Sequence, residues 1–201
     1  LPISNLKIYK FVKNFLVKQY LIEYKPFLLF LGKFLISYLI LTFIYQSYLT
    51  SFDVKNHEVD GFTQVVSNQT EKLLLLFDCD VKTMKHPTEP SIKLNYNQKW
   101  VARVVEGCNG LSVIILFISF IIAFSGKIKT TLLYILFGII VIHILNVARI
   151  ALLVVLMYHF PEYKEFLHGV LFPLLIYGTV FLLWVIWVNK FSFYAKKSIE
   201  K

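Results

Sequence analysis

Long apolar runs, separated by short basic turns and one polar stretch, leave this chain very few ways to fold. They cover residues 27–49, 111–124, 131–158 and 170–188. A helix needs about 20 residues to cross the hydrocarbon core of a bilayer, and three of the runs reach that length or nearly so. The run at 111–124 is short. Joined to Cys108, Asn109 and Gly110 it becomes a marginal span, acceptable where its outer end is buried in protein instead of lipid. The chain is 57% hydrophobic and only 16% charged, which excludes an ordinary soluble domain. The expected class is an all-α integral membrane protein: about four transmembrane helices, an N-terminal interfacial helix, and a small extracytoplasmic insert of a helix and a β-hairpin.

Lysine placement sets the expected orientation. Lys7, Lys10, Lys13, Lys18 and Lys25 precede the first run, Lys127 and Lys129 fill the turn near 125–130, and Lys190, Lys196, Lys197 and Lys201 follow the last run. Four spans with both termini in the cytoplasm put all of these on one side, as short basic loops require. The chain then divides into a cytoplasmic amphipathic segment (1–26), spans at 27–49, 108–124, 131–158 and 170–188, an extracytoplasmic insert (50–107) and a cytoplasmic tail (189–201). No small-residue cleavage site follows the first run, so it reads as an anchor and not a cleaved leader. The net charge of +9 is mainly a topology signal, with attraction to anionic headgroups as its consequence. No basic patch interleaved with aromatics argues for nucleic acid, and no metal-ligand spacing or cofactor motif is evident.

The insert reads as an amphipathic helix over 62–77, then strands at 92–96 and 100–105 with Asn97-Gln98-Lys99 as the turn. The second strand feeds directly into Glu106-Gly107-Cys108-Asn109-Gly110-Leu111. A cysteine between two glycines at the mouth of an apolar helix is an odd choice for packing alone. The glycines permit close backbone approach, and the helix dipole favours a thiolate. Topology brings other polar groups to the same side. His168 opens the last span, and span 131–158 carries His143, Asn146 and Arg149 within an arc of roughly 120°. An arginine inside a span is costly unless it faces the bundle interior and finds a partner. His143 reads as a structural hydrogen-bonding group. Cys79, flanked by Asp78 and Asp80, lies on the same side as Cys108; a disulfide between them would retire Cys108 as a nucleophile, and the two carboxylates disfavour a Cys79 thiolate.

Glu106-Gly107-Cys108-Asn109-Gly110-Leu111, Asn146-Val147-Ala148-Arg149 and His168-Gly169 resemble the three motifs of the exosortase/archaeosortase family of membrane transpeptidases, and the wording is most similar to the F-type exosortases of Bacteroidetes. The resemblance implies Cys108 as nucleophile, with Arg149 and His168 as the other catalytic residues. It implies cleavage of C-terminal sorting regions of exported, membrane-anchored proteins at the outer face of the bacterial inner membrane, through a thioester, with transfer to an acceptor it does not identify. Asn146, one turn from Arg149, would orient that side chain, Glu106 would pair with Arg149 or Arg103, and Asn109 and Gly110 would support the nucleophile. Self-association is a further option. Two rivals stand beside this reading. One is a transporter subunit or scaffold in which Arg149 binds an anion; the other is a thiol oxidoreductase using Cys79 and Cys108, which lacks a Cys-x-x-Cys pair.

Overall fold

The computed structural model describes residues 22–52, 57–124 and 126–192. The interfacial helix expected at 3–20 and most of the basic tail lie outside them. Five helices and one sheet make up the rest. Helix α1 runs Lys25–Leu49, with Pro26 in its first turn where a missing N–H costs nothing. Helix α2, Gly61–Leu75, is capped by Asp60, whose carboxylate accepts from the Thr63 N–H at 2.9 Å. Strands β1 (Val81–Lys85), β2 (Ile92–Tyr96) and β3 (Lys99–Val104) form an antiparallel sheet in the order β1-β2-β3. Helix α3 is Leu111–Ala123, α4 is Ile128–His159, and α5 is the continuous helical stretch Pro161–Phe191.

Helices α1, α4 and α5 are long and apolar enough to cross a membrane, whereas α3 has only 13 residues. The chain is a multi-pass membrane protein. Leucines, isoleucines and phenylalanines are exposed along α1, α4 and α5, as lipid-facing surfaces require. Helix α1 packs chiefly against α3 and leaves most of its surface to lipid.

Both ends of the short α3 are covered by protein. At its C-terminal end the Trp187 indole donates to the Phe124 carbonyl at 2.9 Å, satisfying an acceptor that lipid could not. Phe120 stacks on Trp184 at 4.2 Å and Phe124 meets Phe30 at 4.4 Å, closing an aromatic plug beneath it. Midway along, α3 and α4 approach closely because Gly138 offers no side chain: a Cβ there would sit 2.1 Å from the fully buried Phe117 ring. Gly138→Leu is therefore expected to force the two helices apart and to cost about 3 kcal/mol, read as a lower midpoint in thermal unfolding of the detergent-solubilised protein.

Helix α4 is longer than a hydrocarbon core requires, and the surplus at its C-terminal end carries the insert. Val147, Ile150, Ala151 and Val154 pack with Val66 and Leu74 of α2 and with Val81, Leu94 and Val104 of the sheet in one buried cluster. The sequence reading has two strands in this region and the structure has three. Strand β1 is short and lysine-rich, so its apolar alternation is weak; pairing with β2 and a contact from Thr83 to Glu71 of α2 hold it in place. The turn between β2 and β3 is the two residues Asn97 and Gln98, not three. Both have positive φ (48° and 63°), the conformation that a tight two-residue hairpin demands.

Candidate functional site

Helix length sets the height of the site. Asn146 lies about 27 Å along α4 from Ile128, Tyr45 about 30 Å along α1 from Lys25, and His168 roughly 34 Å along α5 from Phe191, at 1.5 Å per residue. All three therefore lie at a comparable height along their helices, close to where β3 hands the chain to α3. Cys108 sits there, in a 3-10 turn (Glu106–Cys108) and not in the first turn of α3 as the sequence suggests. The helix proper starts three residues later, at Leu111.

Two side chains from α4 converge on this turn. The Asn146 amide donates to the Cys108 carbonyl oxygen at 3.1 Å, and Arg149 Nη2 donates to the same oxygen at 3.3 Å. Asn146 thus acts on the Cys108 backbone beside Arg149, where the sequence reading has it orienting the guanidinium. The Arg149 Nε is buried and has no hydrogen-bond partner among the described residues. Gly110, at φ 88°, precedes α3; a Cβ there would lie 3.1 Å from the Asn146 amide. Glycine is required both by its left-handed backbone and by the close passage of Asn146.

Behind Cys108 a polar network joins three elements. Asn109 is almost fully buried; its Oδ1 accepts from the Leu111 N–H at 2.9 Å, closing the start of α3. Its Nδ2 donates to Thr63 Oγ1 at 3.1 Å and to the Tyr45 hydroxyl at 3.3 Å. Tyr45 in turn donates to Glu106 Oε1 at 2.7 Å. This corrects the expected pairing of Glu106 with Arg149 or Arg103: Glu106 takes the Tyr45 hydroxyl, and Arg103 pairs with Glu89. Neither Tyr45 nor Thr63 is singled out by the sequence. The available signal was helical rise, which brings Tyr45 to the depth of Asn146. Tyr45→Phe leaves a part-buried carboxylate and amide short of a partner, and a loss of about 1–3 kcal/mol is expected in the same unfolding measurement.

Cys108, Arg149 and His168 line one cavity of about 560 Å³, walled otherwise by residues 100–105 and by Ile150, Leu153, Met157 and Lys164. His168 falls in a π-helical turn, Leu167–Leu171, just before Pro173. Proline has no N–H for the Gly169 carbonyl, which explains why the helix widens there, and such bulges recur at functional sites. His143 is on the same face of α4 in sequence but stands apart from the cavity. Its Nε2 pairs with Gln69 Oε1 at 2.7 Å, and its ring meets Phe62. Cys79 and Cys108 are both free thiols. Cys79 packs against the insert core, and its contact with Tyr96 raises that phenol from its ordinary value. No group of side chains suited to a metal ion occurs among the described residues.

No curated protein and no solved structure matches the chain. The model of one family, described as transmembrane exosortase (Exosortase_EpsH), matches residues 27–189. That range takes in α3 and α4 whole, all but two residues each of α1 and α5, the insert and every residue lining the cavity, and the chain accordingly belongs to the transmembrane exosortase family.

Proposed function

We propose that this exosortase is a cysteine-dependent transpeptidase of the bacterial inner membrane, similar to the F-type members, with both termini inside and its cavity open to the extracytoplasmic side. Its substrates are exported proteins carrying a C-terminal sorting region with an apolar segment. The observation that carries the reading is the meeting of a free thiol, a guanidinium with an unused buried N–H and an imidazole around a single cavity.

The chemistry follows from those groups. The Cys108 thiolate attacks the scissile carbonyl carbon, and the negative charge that develops on its oxygen is met by Arg149. The peptide C–N bond then breaks, His168 delivers a proton to the leaving amine, and a thioester remains on Cys108. An incoming amine or similar nucleophile loses its proton to His168 and attacks the thioester; the new acyl bond forms and the thiolate returns. The apolar walls limit water at the thioester and so favour transfer over hydrolysis. Asn146 fixes the Cys108 backbone, and the network of Glu106, Tyr45, Asn109 and Thr63 holds the turn rigid from behind. The target's own transmembrane helix docks laterally against the bundle.

The test is mass spectrometry of membrane and secreted fractions from cells with and without the gene. Removal of C-terminal apolar tails from a defined set of exported proteins, seen only when the gene is present, is the expected result. Identical C-termini in both strains would sink the reading.

A further inference from the structure

We propose that the chain segment leading to the scissile bond binds as an added β-strand on the open edge of β3, running parallel to it. This rests on the transpeptidase reading and adds how the substrate is held.

Strand β3 ends the sheet: one edge pairs with β2, and no strand among the described residues pairs with the other. An uncovered strand edge presents a row of backbone donors and acceptors, and proteins ordinarily shield it. Here the strand and its exit, residues 100–105, form one wall of the cavity that holds Cys108, Arg149 and His168. A second cavity of about 500 Å³ continues past the hairpin end, sharing Trp100, Val101, Met157 and Lys164 with the first and adding Lys99, Tyr158 and His159. The two together follow β3 from its start to Cys108. Trp100, at the start of this wall, is more than half exposed; its indole donates to the Ala102 carbonyl at 3.0 Å and its ring lies against His86 and Lys93, on the side of the sheet away from the open edge. The register irregularity between Leu94 and Asn95 bends the same strand pair, as bulges beside active sites commonly do.

Two glycines leave room for a backbone at the far end. A Cβ on Gly107 or on Gly169 would meet nothing within 4 Å, and neither has a positive φ. Neither packing nor strain therefore calls for glycine beside Cys108 and His168, and both positions leave space for a second backbone. Direction follows from the membrane. A target whose exported body precedes its apolar tail enters the site from the hairpin end and leaves toward the lipid, the same direction in which β3 runs from Lys99 to Val104. Backbone pairing of this kind supplies affinity with little dependence on side chains, and pockets for alternate side chains supply the choice.

The test uses full-length Cys79→Ser protein in phosphatidylethanolamine/phosphatidylglycerol nanodiscs. An acetylated Thr-Val-Thr-Val-Thr-Val-Cys amide, activated as its thiopyridyl disulfide, is exchanged onto Cys108; one disulfide forms as pyridine-2-thione leaves. The tether raises the local peptide concentration to the millimolar range, so weak pairing becomes visible. Backbone amide exchange across Lys99–Val104 is expected to slow about tenfold or more relative to untethered protein. The same peptide N-methylated at alternate residues, or carrying its cysteine at the N-terminus, is expected to give little slowing. Equal protection from the N-methylated peptide, or none from the parent, overturns the proposal. So does exchange that is already slow in untethered protein and varies with lipid acyl length, which would make a lipid chain the occupant. Failure of Cys108 to form the disulfide at all would overturn the transpeptidase reading along with it.

Discussion

Replacing Cys108 by alanine is expected to abolish processing, by roughly 10⁴-fold or more, while the unprocessed target accumulates with its tail attached. The fold should survive. The contacts that hold the turn use the Cys108 backbone carbonyl and the side chains of Asn109 and Glu106, none of which depends on the thiol. Arg149→Ala belongs to the same experiment and is expected to lose about 10²–10³-fold, the typical cost of removing one donor to a developing oxyanion. Arg149→Lys should recover little, since an ammonium lacks the guanidinium's fork and cannot meet both the Cys108 carbonyl and a substrate oxygen. Cys79→Ser should process normally. These outcomes separate the rivals: an anion-binding scaffold tolerates Cys108→Ala and fails with Arg149→Ala, whereas a dithiol oxidoreductase fails with Cys79→Ser. Quantifying precursor and mature target in membranes of each strain decides among them.

The second large effect is expected at Gly110, which does not line the cavity. Alanine there must adopt a left-handed backbone, at about 1–2 kcal/mol, and push its Cβ against the Asn146 amide. The amide then leaves the Cys108 carbonyl, and the thiol moves with its turn. A displacement of this size typically lowers the rate about 10²-fold, so kcat should fall with little change in KM. Combining Gly110→Ala with Asn146→Ala should be less damaging than the two single effects multiplied, because the shortened side chain removes the closest contact. Strictly multiplicative losses would mean that Gly110 and Asn146 act independently, and that the conformation at Gly110 matters for some other reason.

Much of the architecture was legible from hydropathy, because in lipid every backbone polar group must be satisfied within the protein. That constraint turns an apolar run into a helix with little room for alternatives. The four apolar helices, the helix and hairpin of the insert, and the nearness of Arg149 to Cys108 all follow from run lengths and helical spacing. Strand β1 was not legible: Val81–Lys85 has no apolar alternation of its own and exists because β2 and α2 lie beside it. The π-turn at His168 was half legible, since Pro173 announces a break without saying how the helix accommodates it.

Apolar runs and helical spacing were enough to read a helical bundle in a bilayer and to bring a cysteine, an arginine and a histidine near one another in it. Tertiary structure alone decided the partners. Glu106 turned to Tyr45 and not to an arginine, Asn146 to the Cys108 carbonyl, and His143 to Gln69, away from the cavity. The physical reason is one of range. Hydropathy and helical period are properties of a segment, while a hydrogen bond between residues 61 positions apart, as between Tyr45 and Glu106, depends on how two segments have packed.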